Sequence, residues 1–74
     1  MNRLLINMKN KIDIINGAIG QCYKLMNDET IVLNGLQRFE VTRGDKDNAW
    51  FKQRIYDLTI EKNDLYERIQ RMGG

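Results

Sequence analysis

Apolar residues recur in alternating three- and four-residue steps at both ends of this 74-residue chain, and that spacing limits the fold more than any other feature. The C-terminal run is Phe51, Ile55, Leu58, Lys62, Leu65, Ile69 and Met72; the N-terminal run is Leu5, Met8, Ile12, Ile15, Ile19, Cys22 and Met26. On a helix each run falls on one face, as the a/d seam of a heptad. An apolar seam is unstable in water, so each needs a partner helix. The length fits a single domain over 1–74. A core that small seldom leaves more than ~3–5 kcal/mol of stability. Cys22 is the only cysteine and the chain has no His, so neither an intrachain disulfide nor a structural zinc site can reinforce it. Oligomerisation is the remaining reinforcement and agrees with the seams.

The spacing predicts a helix over 2–24. Leu4, Ala18 and Leu25 lie beside its seam and widen the apolar stripe, which suits more than one neighbour. Gly17 and Gly20 weaken a helix but fall away from the seam. A continuous or kinked helix is favoured; the alternative is a turn at Asn16-Gly17 followed by extended chain. A β-hairpin is expected over 29–42: residues 29–33 (ETIVL) are β-branched and apolar, and residues 36–42 (LQRFEVT) alternate. Asn34-Gly35 between them favours a two-residue type I′ turn, with Phe39 and Val41 facing the core. Residues 43–48 form a loop in which Asp47 or Asn48 caps a second helix over 49–71, and Gly73-Gly74 ends it. The fold class is therefore mainly α with a small β element, ordered helix, β-hairpin, helix.

In the C-terminal seam Ile55, Lys62 and Ile69 occupy a, and Phe51, Leu58, Leu65 and Met72 occupy d. β-branched a positions with Leu at d favour a short parallel two-stranded coil. Lys62 agrees, since its stem can lie along a dimer seam with the ammonium in water. A homodimer is the favoured reading. The two terminal helices packed on each other within one chain is the other, because a central segment of this length can turn the chain back.

The net charge of +2 does not by itself argue for nucleic acid. It is uneven: residues 1–26 carry a net of +3, residues 27–47 a net of −2 and residues 48–74 a net of +1. No run approaches the ~18 apolar residues of a membrane span. The opening MNRLLINMKNK does not read as a signal peptide. With a lone thiol, these features lead us to expect a cytoplasmic location.

Asp57, Glu61 and Asp64 line one side of the second helix. Such a row can dock a basic groove or imitate phosphates; as a solvated helix face it needs no partner. Arg38, Arg43 and Lys46 cluster around the hairpin and loop. A β-ribbon with such bases can enter a DNA groove, although Glu40, Asp45 and Asp47 interleave with them. Trp50 lies off the seam, either packed under the hairpin or serving as a contact hot spot. Asp45-x-Asp47 opens like a calcium loop, but Ala49, Trp50 and Tyr56 stand where a ligand, the turn Gly and the closing Glu belong. Arg43-Gly44-Asp45 matches the integrin-binding tripeptide. Without an export signal, that match reads as chance. Cys22, at a d position, reads as a small core residue. With no His, no glycine-rich phosphate loop and no nucleophile–base set, no enzymatic activity, cofactor or metal is expected.

In size and style, over the whole chain, the sequence resembles short accessory proteins that bacteriophages of Gram-positive hosts make to disable host machinery; no diagnostic residue carries the resemblance. That group includes inhibitors of the DNA sliding clamp, of RNA polymerase and of nucleases. The clamp's peptide-binding motif starts with Gln and ends in Leu and an aromatic, and Gln37-Arg38-Phe39 and residues 53–58 (QRIYDL) carry parts of it. The resemblance implies a non-enzymatic protein that blocks or adapts a larger host cytosolic protein; the seam would give the homodimer, and Asp57, Glu61, Asp64, Trp50, Arg38 and Arg43 are the contact candidates. The rival class is a small nucleic-acid-binding regulator using the hairpin or the basic N-terminal half.

Overall fold

The computed structural model describes residues 3–73. Met1, Asn2 and Gly74 lie outside the described residues, and with them the start of the first expected helix and half of the closing glycine pair. The order is α1 (Arg3–Met26), β1 (Ile31–Asn34), β2 (Arg38–Val41) and α2 (Asn48–Arg71). Helix, hairpin and helix match the expected architecture.

Helix α1 runs unbroken through Asn16 and Gly17 and ends two residues later than expected. A Cβ added at Gly17 or Gly20 would meet nothing within 4 Å, so neither glycine serves a close approach. The helix stops in a Schellman arrangement. Glu29 N–H donates to the Lys24 carbonyl (2.9 Å), and Asp28 N–H to that of Leu25 (3.0 Å). Asp28 takes the left-handed position at φ 64°, where glycine is the usual residue. Helix α2 begins under Asp47, whose Oδ1 accepts from the Trp50 N–H at 2.9 Å and so satisfies one of the four open donors of the first turn.

The two seams close on each other. Met8, Ile12, Ile15 and Cys22 from α1 and Phe51, Leu58, Leu65 and Ile69 from α2 form the buried core, with Leu5, Ala18, Ile19, Leu25, Met26 and Ile55 packed around it. Each buried aliphatic or aromatic side chain contributes roughly 1.5–3 kcal/mol relative to exposure. The helices run antiparallel. Arg43 bonds the end of α1 beside the start of α2, while Lys11 meets Glu61 halfway along, Nζ to Oε1 at 3.6 Å. Both residues hold g positions, and g meets g only when two helices of a coil run in opposite directions. Glu61, which in a parallel dimer could accept from the Lys62 ammonium of a second chain, here faces Lys11 of its own chain.

The strands pair antiparallel as Ile31–Val41, Val32–Glu40, Leu33–Phe39 and Asn34–Arg38. This corrects the expected two-residue turn. Asn34 is itself paired, so the loop is Gly35-Leu36-Gln37. Pairing across Asn34-Gly35 would have set Leu33 opposite Leu36 and Val32 opposite Gln37, mixing the faces. The observed register gathers Ile31, Leu33, Phe39 and Val41 on one face, because side-chain alternation has period two.

The Cα trace fills a slab of 42 × 32 × 13 Å. That is about one helix layer thick, so the hairpin lies beside the helix pair and does not cover it.

Candidate functional site

The residues singled out from the sequence divide between the core and the surface. Phe51, at 1% exposure, is the most deeply buried side chain; Leu58, Leu65 and Ile69 are also buried, Ile55 and Lys62 are half-buried, and Met72 is exposed. The face assigned to a second chain is thus filled by α1. A parallel two-chain coil would use the same face and require α1 to leave it.

Arg43 is half-buried and works inside the fold. Its guanidinium donates to the carbonyl of Met26 (3.3 Å), to that of Lys46 (3.2 and 3.1 Å) and to Asn48 Oδ1 (3.0 Å). It also lies 5.9 Å from the Phe51 ring centroid. Three features account for this position. The Met26 carbonyl is at the negative end of the α1 dipole, the planar fork can serve several acceptors at once, and the aromatic face favours a cation. One side chain therefore ties the end of α1, the 42–47 loop and the start of α2. This loop turns at Gly44, at φ 60°, and the Lys46 N–H returns to the Arg43 carbonyl at 3.2 Å.

The other basic residues around the hairpin are also engaged. Arg38 meets Glu40 at 3.4 Å, and Lys46 Nζ lies 5.1 Å from the Trp50 ring centroid. Trp50 is 46% exposed and meets the Phe51 ring edge-on at 5.0 Å. Its ring thus meets Phe51 and Lys46, both outside the two strands. In the acidic row, Asp57 accepts from Gln53 (3.0 Å), Glu61 pairs with Lys11 (3.6 Å) and Asp64 pairs with Arg68 (3.0 Å). The row is solvent-facing, with every carboxylate already partnered.

Cys22 is buried in the core. Burial pushes its thiol above the ordinary range, an effect the nearby Arg54 charge partly offsets. Among the described residues no cluster of three His, Cys, Asp or Glu side chains could hold a metal ion. Among the described residues no helix is long and apolar enough to cross a membrane. An open groove of about 520 Å³ lies between the N-terminal half of α1 and the C-terminal half of α2, with Ile12 and Ile69 at its floor and Lys9, Asp13, Tyr66 and Gln70 at its rim.

What sequence reasoning missed is how far the apolar residues of the hairpin stand in solvent. Ile31 and Val41, at its base, are half-buried, but Leu33 and Phe39 farther out are exposed, and Leu36 at the tip is fully exposed (106%). Phe39, expected in the core, is 56% exposed. Leu33 and Phe39 are direct cross-strand neighbours, and Leu36 stands in the loop that joins the strands. A turn residue is usually polar or Gly, so a leucine there was the available signal; assigning Leu36 to a strand hid it.

Comparison with protein families, with curated proteins and with solved structures finds no match for this chain.

Proposed function

We propose that this protein is a non-enzymatic binding module whose hairpin docks into an apolar recess on a larger protein. The observation that carries the reading is the exposure of Leu33, Leu36 and Phe39 on one hairpin that stands beside the helix pair. Several exposed apolar side chains on one element of a chain this small favour contact. The resemblance to phage accessory proteins supplies the class of target: a component of replication or transcription in the cytoplasm of a bacterial host, with the DNA sliding clamp first among the candidates. Arg38, Arg43 and Lys46 all have partners within the chain, so no observation favours the nucleic-acid reading over this one.

The test is capture from nuclease-treated lysate of a Gram-positive bacterium by the tagged chain, read by mass spectrometry. We expect one stoichiometric host protein with the wild type, its loss with Leu36→Asp, and its retention when Asp57 and Asp64 become Asn. Capture indifferent to Leu36→Asp, or recovery of this chain alone, refutes the proposal.

A further inference from the structure

Strand β1 lies between β2 and α1, and β2 has no Cα within 8 Å of either helix. The outer edge of β2 is therefore an open row of backbone N–H and C=O groups. Proteins blunt such an edge with short strands, charged side chains, Pro or a covering element. Here the strand is short, Arg38–Val41, nothing among the described residues covers it and it contains no Pro; its two charges, Arg38 and Glu40, are of opposite sign, so they repel most strands but match a second copy of themselves.

We propose that this edge is completed by a second copy of the chain, β2 pairing antiparallel with β2 of the other copy about Phe39. Charge selects the occupant and the register. Centred on Phe39, the pairing sets Arg38 of each copy opposite Glu40 of the other, and opposite charges directly across a strand pair attract. A slip of two residues one way sets Arg38 against Arg38; a slip the other way sets Glu40 against Glu40. A slip of one residue turns the apolar face of one strand toward the polar face of the other. In-register parallel pairing places like charges side by side. Only the arrangement centred on Phe39 satisfies both charge and face.

The product is a four-stranded sheet in the order β1, β2, β2, β1. One face would carry Ile31, Leu33, Phe39 and Val41 from both copies as a continuous apolar surface. A lone two-stranded hairpin is marginal in water, and doubling it relieves that weakness. This places a homodimer contact at the hairpin edge and leaves the helix seams closed within each chain. The proposal deepens the reading of the hairpin as the contact element, yet it uses the strand edge and leaves the Leu36 tip free.

The experiment is sedimentation equilibrium of the full chain over a wide concentration range, with Arg38→Glu, Glu40→Arg, the double variant R38E/E40R, and Leu36→Asp. Both charged side chains are well exposed, so the fold is preserved, and circular dichroism checks this. We expect a wild-type dimer, association weakened roughly tenfold or more in each single variant, and recovery in the double variant, where opposite charges again meet. Leu36→Asp leaves the dimer unchanged, which separates this interface from partner capture. As an independent reading, Phe39→Cys should form a disulfide between copies, since antiparallel strand partners place Cα atoms about 4.5–5.5 Å apart, within disulfide range. A monomer at every concentration, a dimer indifferent to the single variants, or a double variant that fails to restore association overturns the proposal.

Discussion

Replacing Gly17 and Gly20 by alanine should stabilise this protein substantially. Both sit inside α1, and an added Cβ meets nothing within 4 Å at either position. Neither has a positive φ, so alanine fits the backbone without strain. The gain comes mainly from the unfolded chain, which has fewer conformations to lose once the glycines are gone. Each substitution in a helix interior is worth about 0.5–1 kcal/mol. The pair should therefore add about 1–2 kcal/mol, and in a domain of this size each kcal/mol raises Tm by about 4–8 °C. We expect the double variant G17A/G20A to melt about 4–16 °C higher than the wild type by circular dichroism. The two single variants should each supply a share of that rise. An unchanged or lower Tm would refute the reasoning. It would mean that the chain is not helical at Asn16-Gly17, or that this face of α1 is closely covered in solution.

Asp28 holds a left-handed position that glycine adopts freely, so Asp28→Gly should raise stability by about 1 kcal/mol in urea titration, without a change in m. Phe51 is the most buried side chain, and Phe51→Ala should remove about 3–5 kcal/mol, comparable to the whole stability of a small domain; loss of the cooperative thermal transition is the expected readout. The Cys22 thiol has its pKa raised by burial, so its contribution to stability is complete below the unfolded-state value of about 9.0 and is lost as pH rises through the folded-state value. Stability measured from neutral to alkaline pH should fall above that point more steeply in the wild type than in Cys22→Ala, and native Cys22 should react with a thiol reagent far more slowly than the unfolded chain does.

The helices were legible because their apolar spacing is long and regular, and each seam position of α1 from Leu5 to Met26 is buried or half-buried. What covers a seam is not legible from spacing. A heptad stripe asks for a neighbour without naming it, and the choice between a second chain and α1 depends on how residues 27–47 turn. One clue lay in the charges. Lys11 and Glu61 hold g positions of opposite sign, a match that matters only for antiparallel helices, whereas parallel g–e pairing offers little. The hairpin was found, but its turn was misplaced. The local preference of Asn34-Gly35 lost to the face-matching of Ile31, Leu33, Phe39 and Val41, a longer-range effect that outweighs it. Arg43 reads as a surface base because its acceptors are two backbone carbonyls and the Asn48 amide, and loop geometry alone brings these together. Leu36 was hidden by the same turn error that hid the loop.

Only if the two helices close on each other within one chain is the hairpin the surface left for contact. Carbodiimide coupling tests this without any substitution, since it joins an amine to a carboxylate already in contact, and Lys11 and Glu61 stand 3.6 Å apart. Unlabelled and nitrogen-15-labelled protein would be unfolded together, refolded as a mixture, cross-linked and digested. The account expects the Lys11–Glu61 cross-linked peptide to carry one isotope composition throughout, each link lying within a single chain. Cross-linked peptides joining labelled to unlabelled halves would show that α1 packs against α2 of another chain, and would contradict it.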